Sequence, residues 1–271
     1  MCRKNFVIVG NDSYIASGLD KYLANYDVTC LNYLNWEMNI NLLREADCII
    51  NFSISPESSK IVFDTDDVID VKIAKSISGY KPRFIFISSR KVYGISNECL
   101  IYNETSPVIK NDIYSINKIN TERALQNILG DKLVILRPTN IIGEPVLREN
   151  YNTFIGWICR NYKSKGYVET TINSNIYKDF ITKEYLHKNI VYLMSHDCRG
   201  IYNISAGFGI TIKYLLDGYV GEKVLYKGDE QKVKDQFIVD NTKIKELTGI
   251  EFSIKDIDDA LKIYTEKLKF I

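Results

Sequence analysis

Residues 5–16 read Asn-Phe-Val-Ile-Val-Gly-Asn-Asp-Ser-Tyr-Ile-Ala, an apolar run followed by a glycine and a polar turn. An apolar run that stops at a glycine is typical of a buried parallel strand. We expect a helix to follow the turn and to reach about residue 25. A strand, a tight turn and a helix N-terminus together form a cradle for phosphate, because free backbone N–H groups and the helix dipole face the anion.

The same alternation of strand and helix continues through the first half of the chain. Apolar runs predict strands at residues 27–32, 47–53, 83–89 and 132–136. Helices are predicted at 66–78 and 114–129, the second closed by Gly130, because glycine readily adopts the positive φ found after a last helical turn. This order predicts an α/β fold with a Rossmann-type, doubly wound parallel sheet. Ligands of such sheets bind beyond the C-terminal ends of the strands.

The alternation stops near residue 145, which suggests two parts. We predict a Rossmann domain over residues 1–145 and a smaller substrate-binding part over 146–271, with segments near 179–205 returning to the first part. The second part begins with a polar stretch that carries several aromatic side chains. Core packing is the favoured interpretation of these aromatics, and stacking on a base is the alternative; they are Tyr151, Phe154, Trp157 and Tyr162.

Composition excludes some classes of partner. The chain has 271 residues, 45% of them hydrophobic, and a net charge of +1. Such a charge gives no bulk attraction to nucleic acid or to an anionic membrane. The chain opens directly on a strand and has no apolar run long enough to cross a membrane, so we expect a cytoplasmic protein. The six scattered cysteines are interpreted as reduced thiols, and no metal site is predicted.

The loop after the first strand is an imperfect dinucleotide-binding fingerprint. That fingerprint has glycine at three places, and here the places hold Gly10, Ser13 and Ala16. Alanine is acceptable at the third place, whereas a serine at the second crowds the pyrophosphate. The candidate cofactor contacts of this loop are Gly10, Ser13, Tyr14 and Ile15.

The end of the second strand bears on the choice of cofactor. NAD-specific proteins hold the ribose 2′-hydroxyl with a carboxylate there. In this chain the place is taken by Asn32 or a neighbour, and no carboxylate stands there. The missing carboxylate removes a repulsion of a 2′-phosphate, so the sequence favours NADP slightly over NAD. The preference is slight because no arginine stands in the turn to bind that phosphate.

Tyr114 and Lys118 stand four residues apart on a predicted helix. Such residues lie on one helix face. A cation beside a phenol favours the phenolate, which makes the tyrosine a usable proton donor or acceptor. The alternative is a surface tyrosine and a solvated lysine that share a face by chance. The motifs around the pair decide between a catalytic role and a chance surface position for Tyr114 and Lys118.

Seven segments follow in an order and spacing that resemble the extended short-chain dehydrogenase/reductases. This family includes NAD(P)-dependent epimerases, dehydratases and reductases of nucleotide sugars. The resemblance covers essentially the whole chain. The segments are Ile-Ser-Ser-Arg-Lys-Val-Tyr-Gly (87–94), Glu-Thr-Ser-Pro (104–107), Tyr-Ser-Ile-Asn-Lys (114–118), Leu-Arg-Pro-Thr-Asn-Ile-Ile-Gly (136–143), Tyr-Lys-Asp-Phe-Ile (177–181), Gly-Ile-Tyr-Asn-Ile-Ser-Ala-Gly (200–207) and Asp-Asn-Thr-Lys (240–243).

The resemblance implies a role for each matching residue. Ser89, four residues before the Tyr of Val-Tyr-Gly, would hydrogen-bond the substrate carbonyl. Tyr114 would give that oxygen a proton, and Lys118 would hold the nicotinamide ribose. Further implied cofactor contacts are Ser53, Ser88 and Pro138, and further implied substrate contacts are Arg90, Asn140 and Lys178. A solvated surface lysine is the alternative for Lys178. The resemblance also implies a homodimer built on the Tyr114 helix.

Three functions fit these residues. The favoured one is an NAD(P)H-dependent reductase of a 4-keto, 6-deoxy nucleotide sugar for surface polysaccharide. It is favoured because the chain is short for an epimerase of the family and lacks the ribose-binding carboxylate. The alternatives are a nucleotide-sugar 4-epimerase and a non-catalytic cofactor-binding regulator. Dehydration is disfavoured because Arg90 and Lys91 follow Ser89 where an acid/base pair is needed. The helix after the third strand is Asp-rich where the family usually has an asparagine, which leaves a supporting polar group unassigned; the residues are Asp64, Asp66, Asp67 and Asp70.

Overall fold

The computed structural model of the chain describes residues 3–95, 100–144, 154–228 and 235–268. Tyr151, Cys2 and Cys99 lie outside these ranges. The cysteines inside them, Cys30, Cys48, Cys159 and Cys198, are free thiols.

The secondary structure alternates through the first half of the chain and becomes irregular later. The strands are β1 (Asn5–Val9), β2 (Asp27–Leu31), β3 (Cys48–Asn51), β4 (Arg83–Ile87), β5 (Leu100–Tyr102), β6 (Leu133–Pro138), β7 (Asn140–Ile142), β8 (Val168–Thr170), β9 (Tyr177–Lys178), β10 (Phe180–Thr182), β11 (Gly200–Ile204), β12 (Ile210–Thr211), β13 (Val224–Tyr226) and β14 (Phe237–Val239). The α-helices are α1 (Ile40–Glu45), α2 (Ile69–Ile77), α3 (Ile113–Leu129), α4 (Phe154–Lys165), α5 (Lys183–Ser195), α6 (Ile212–Val220), α7 (Thr242–Thr248) and α8 (Ile254–Leu268). Within the described residues, no helix has the length and apolar character needed to span a membrane.

Six parallel strands form the central sheet in the order β2-β1-β3-β4-β6-β11. The doubly wound α/β fold predicted from the sequence is confirmed. The predicted strands in the first half of the chain are present within two residues at each end. The predicted helix over 114–129 is α3, and Gly130 closes it with a φ of 51°.

The helix predicted after β1 is wrong. Residues 11–18 form turns, and only a short 3₁₀ helix follows, at Leu19–Tyr22. Gly18 precedes it in the left-handed region with a φ of 90°, which interrupts helical geometry. Two serine hydroxyls also bond to nearby backbone: Ser13 Oγ accepts from the Ala16 N–H, and Ser17 Oγ donates to the Tyr14 carbonyl. Such local bonds compete with a helix.

Alternate residues of the central strands face two different helical layers. Val7 and Val9 pack with α1, α2 and α3 on one face. Phe6 and Ile8 pack with the 13–23 segment, α5 and α7 on the other. Burial on both faces explains why these strands read as continuous apolar runs. The C-terminal ends of the strands are left as the edge where side chains from several elements meet.

A second apolar core lies among α4, α6 and α8. The aromatics Phe154, Trp157 and Tyr162 pack against this core, as expected for core aromatics rather than base-stacking residues. β11 joins the central sheet beside β6, whereas β10 pairs with β7. The domain division near residue 145 stays a prediction, since residues 145–153 lie outside the described ranges.

Candidate active site

Helix α3 positions Tyr114 and Lys118. Its start is fixed by a capping box, in which Asp112 Oδ1 accepts from the Ser115 N–H at 2.7 Å and Ser115 Oγ accepts from the Asp112 N–H at 2.9 Å. Lys118 lies one turn after Tyr114, with its Nζ 5.8 Å from the centre of the Tyr114 ring. The shared helix face expected from the sequence is therefore present. Lys118 Nζ also donates to the Ile87 carbonyl at 2.7 Å, which holds the ammonium against the end of β4.

Ser89 follows β4 and faces the same place. Its hydroxyl accepts from the Lys91 N–H at 3.2 Å and so caps a short 3₁₀ helix at Arg90–Tyr93. This contact uses an acceptor lone pair, and the Ser89 O–H can still be donated to another oxygen. Ser89, Tyr114 and Lys118 line one cavity of about 160 Å³. The structure thus brings the predicted catalytic set together.

A larger cavity of about 520 Å³ continues from the first along the edge of the sheet. The two share Tyr114, Lys118, Ser53 and Asp70 among their lining residues. The larger one extends to Tyr33, which follows β2. Its size is within the range of about 300–1,000 Å³ usual for small-molecule sites. The pair of cavities therefore runs past the ends of several parallel strands, where a dinucleotide is expected.

Gly10 and Ser53 show that the residues at this edge fit such a ligand. Gly10 has a φ of 74°, and a Cβ there would approach the Ser53 backbone N to 2.7 Å. Ser53 Oγ is buried and has no hydrogen-bond partner within the described ranges. A buried hydroxyl without a partner is costly. Ser53 also lines both cavities, so its hydroxyl is placed to bond a polar atom of a ligand there.

The remaining predicted cofactor contacts divide into two groups. Ile15, Ser88 and Pro138 line the smaller cavity. Ser13, Tyr14 and Asn32 line neither cavity. Tyr14 is buried and its hydroxyl donates to the Glu144 carbonyl at 3.2 Å. Asn32 Oδ1 accepts from the N–H groups of the two residues that follow Tyr33, which makes a local turn.

Ser88 belongs to a buried network beneath the cavity. Its hydroxyl donates to Glu122, whose carboxylate accepts from Arg137 at 2.6 and 3.1 Å. Arg137 also donates to the Tyr93 hydroxyl at 3.2 Å. Glu122 and Arg137 are nearly inaccessible, and a buried ion pair is tolerated only when it is well hydrogen-bonded. Ser88 thus helps to satisfy this pair as well as lining the cavity.

The predicted substrate cations converge on Asp235. Arg90 pairs with both oxygens of its carboxylate at 3.3 Å and lies 3.6 Å from the centre of the Phe237 ring. Lys178 Nζ bonds the same carboxylate at 2.6 Å, and burial lowers the pKa of Lys178. Its side chain is 19% exposed, so the alternative of a solvated lysine is wrong. Arg90 directly follows Ser89, which places this cluster beside the catalytic set.

The side chain of Asn140 is directed away from the smaller cavity, toward the backbone of Asp179. Its Nδ2 donates to the Asp179 carbonyl at 3.3 Å, whereas its neighbours Thr139 and Ile141 line the smaller cavity. Asp179 is fully buried and accepts from four donors, and burial still raises its pKa to about 6. Asn140 therefore belongs to the hydrogen bonds that join β7 to β10.

Sequence reasoning missed Asp70, Asn51 and Asn117. Asp70 lies on α2, is 6% exposed and lines both cavities. Its carboxylate accepts from Asn51 Nδ2 at 2.9 Å. Burial raises the pKa of Asp70 to about 6, against the opposing effect of Lys118. The available signals were an asparagine at the end of an apolar strand and an aspartate within an apolar helix face.

His187 also differs from expectation. In the sequence, His187 and His196 fall near the end of a probable helix, which favours helix C-capping or a surface position over catalysis for both. His196 does follow the last residue of α5. His187 is buried and its Nε2 lies 2.6 Å from the Ile15 carbonyl, where it fixes the loop after β1.

The comparison with family models agrees with this geometry. Residues 6–205 match the model of the NAD dependent epimerase/dehydratase family. The chain belongs to this family. The match includes the whole predicted catalytic set and all six strands of the central sheet apart from Asn5, the first residue of β1. No curated protein matches the chain significantly.

Solved structures of the family share the fold over the whole chain. UDP-glucose 4-epimerase of Thermotoga maritima, with UDP-glucose, is 19% identical with a TM-score of 0.79, covering 98% of this chain and 99% of that one. UDP-N-acetylglucosamine 4-epimerase of Methanobrevibacter ruminantium M1, in complex with UDP-N-acetylmuramic acid, is 16% identical with a TM-score of 0.81, covering 100% and 99%. RMD of Pseudomonas aeruginosa, with NADPH, is 17% identical with a TM-score of 0.75, covering 99% and 98%. At these identities the likeness establishes the fold alone.

Proposed function

We propose that this protein is an NAD(P)H-dependent reductase of a 4-keto nucleotide sugar. The expected substrate carries a 6-deoxy sugar, and the reduced sugar is expected to be used in surface polysaccharide synthesis. The observation that carries the proposal is the single cavity lined by Ser89, Tyr114 and Lys118. Family membership supports the substrate class, because the similar structures hold UDP-sugars or NADPH.

The side chains of the cavity suit reduction of a ketone. A nicotinamide cofactor bound along the two cavities would supply the hydride. Ser89 donates its O–H to the ketone oxygen, and Tyr114 gives that oxygen a proton as its negative charge develops. Lys118 uses one N–H on the Ile87 carbonyl, which leaves two for ribose hydroxyls. Donors held in place before the reaction stabilise the developing alkoxide without reorganisation.

The loop after β1 favours a reductase over an epimerase. A reductase exchanges its cofactor in each cycle, whereas an epimerase keeps it. A long helix after this loop would offer free N–H groups and a dipole to the pyrophosphate. Here the loop leads to a short 3₁₀ helix, and the Ser13 hydroxyl already accepts from the Ala16 N–H. The loop therefore offers fewer N–H groups to the pyrophosphate, and the weaker binding suits a cofactor that exchanges in each cycle. A 4-epimerase is the second candidate, supported by the epimerases among the similar structures.

The charges of the larger cavity bear on the choice between NADH and NADPH. Among its described lining residues, the charged ones are Asp67, Asp70 and Lys118. Asp70 and Lys118 also line the smaller, catalytic cavity, whereas Asp67 lines the larger one alone and pairs with Lys72 at 3.4 Å. Carboxylates oppose a 2′-phosphate and accept hydrogen bonds from ribose hydroxyls. We therefore propose NADH as the preferred donor, against the slight preference for NADP that Asn32 gave.

Oxidation of NADH or NADPH by purified protein tests this function. The protein is mixed with each cofactor and a panel of 4-keto-6-deoxy sugars on different nucleotides, and loss of the reduced-nicotinamide absorbance is followed. Stoichiometric loss with one sugar establishes the reductase. Interconversion of a plain nucleotide hexose by protein with tightly bound NAD, and no loss with any keto sugar, favours the epimerase instead.

A further inference from the structure

Both the nitrogen and the oxygen of the Asn117 side-chain amide form hydrogen bonds to one segment of backbone. Its Nδ2 donates to the Ser58 carbonyl at 2.9 Å and to the Ile61 carbonyl at 2.8 Å. Its Oδ1 accepts from the Phe63 N–H at 3.0 Å. The side chain is buried on α3, between Tyr114 and Lys118 in sequence. Three good hydrogen bonds therefore join the catalytic helix to residues 58–63.

Residues 58–63 belong to the connection between β3 and α2 and form a wall of the larger cavity. Ser58 and Phe63 line that cavity together with Asn117 itself. The side chains between them turn outward, with Ile61 52% exposed and Val62 53% exposed. Burial of these apolar groups is thus incomplete, and the position of the wall depends strongly on its backbone hydrogen bonds to Asn117.

An asparagine is well suited to this contact. Its amide offers two N–H donors and an acceptor oxygen, which match two carbonyls and one N–H. An aspartate would keep the acceptor, lose both donors and set a negative charge against two carbonyl oxygens. A serine hydroxyl is shorter and can replace at most one of the two donations. The chemistry of the segment therefore requires the amide.

We propose that Asn117 is a positioning residue that clamps residues 58–63 over the larger cavity and thereby sets the affinity for the nicotinamide dinucleotide. This rests on the proposed function for the identity of the ligand. Because Asn117 lies in the same helical turn as Tyr114 and Lys118, the clamp holds residues 58–63 at a fixed distance from these two side chains. Asn117 touches backbone only and takes no part in proton transfer.

The experiment compares wild type with Asn117→Asp, Asn117→Ser and the control Asn127→Ala, an exposed asparagine on the same helix. NADH affinity is measured by titration calorimetry, and kcat by NADH oxidation at saturating NADH. Hydrogen exchange reports the Phe63 amide. Thermal unfolding shows whether each variant is folded. Asn117→Ser is the second variant if Asn117→Asp does not fold.

We expect NADH to bind about tenfold more weakly in both Asn117 variants, since each loses at least one hydrogen bond of ordinary strength. The Phe63 amide should exchange faster, and kcat at saturating NADH should change less than about twofold. Asn127→Ala should match wild type in every readout. A folded Asn117 variant with wild-type affinity and wild-type Phe63 exchange overturns the clamp. Wild-type protein that binds neither NADH nor NADPH overturns the proposed function and the cofactor role of Asn117 together, while the Phe63 exchange still reports the clamp itself.

Discussion

Asp70 carries a carboxyl group into the interior beside Lys118, the predicted catalytic lysine. It is 6% exposed, and its bonded partner is Asn51 Nδ2 at 2.9 Å. Burial raises its pKa from the ordinary 3.8 of an aspartate to about 6, although Lys118 and Asn51 favour the charged form. At neutral pH the folded protein therefore holds a charge in a poorly solvated place. Asp70→Asn removes this charge and keeps an oxygen for Asn51.

The pKa difference fixes the sign and the size of the effect. A shift of about two units corresponds to about 3 kcal/mol. Below about pH 4 the carboxyl is protonated in both folded and unfolded chains, and the full stability is present. As the pH rises to about 6 the folded chain holds more protons than the unfolded chain, so the stability contributed by Asp70 is lost. Asp179, with its pKa also raised to about 6, acts in the same direction, and Asp70→Asn leaves that part unchanged.

Denaturant unfolding of wild type and Asp70→Asn at about pH 4 and about pH 7.5 measures this effect. We expect equal stability at the lower pH and a variant more stable by about 1–3 kcal/mol at the higher pH. Equal stability at both pH values, or a less stable variant at the higher one, would refute the reasoning. The same variant should bind NADH more weakly, because it loses a carboxylate that lines both cavities. A buried charge that lowers the free energy of unfolding, as Asp70 does, is expected at a position that binds a ligand.

Two further predictions follow from the buried and charged groups, and a third concerns the oligomeric state. Glu122→Gln leaves the Arg137 charge buried without its partner and should lower the free energy of unfolding by about 3–5 kcal/mol, measured in denaturant; a change under about 1 kcal/mol would contradict the importance of that pair. Asp235→Asn frees Arg90 and Lys178 and should strengthen binding of UDP several-fold in calorimetry, whereas unchanged affinity would mean that the two cations do not face the substrate's pyrophosphate. The homodimer proposed on α3 should appear in sedimentation equilibrium, and a monomer at micromolar concentration would remove it.

Local sequence patterns predicted the parts of the fold that depend on local physics. The apolar runs that became β1, β3 and β4 are buried on both faces, and this burial is visible in the sequence as uninterrupted hydrophobicity. The spacing of Tyr114 and Lys118 correctly predicted their shared face, because four residues make one helical turn. The helix predicted after β1 is absent because Gly18 and two serine hydroxyls together favour turns there.

The rest of the site depends on contacts between residues far apart in sequence. Arg90 meets Asp235 across 145 positions, and Lys178 meets it across 57. No local sequence pattern indicates that Arg90 and Lys178, the predicted substrate-binding cations, share the carboxylate of Asp235. The sequence places Asp70 in an Asp-rich stretch without an assigned role, and only the packing of α2 against the sheet shows that it is the buried one. Asn117 stood inside a recognised motif, but its role depends on a segment more than fifty residues earlier.

The central claim is that Tyr114, beside Lys118 and Ser89, delivers a proton to a sugar ketone while a nicotinamide cofactor is oxidised. The most direct test follows reduced-nicotinamide absorbance for wild type and Tyr114→Phe with the panel of 4-keto-6-deoxy nucleotide sugars. The account predicts stoichiometric oxidation of NADH by wild type with at least one sugar, and a rate about 10²–10⁴-fold lower for Tyr114→Phe. Oxidation that proceeds equally fast in Tyr114→Phe, or none by wild type with any sugar of the panel, would contradict it.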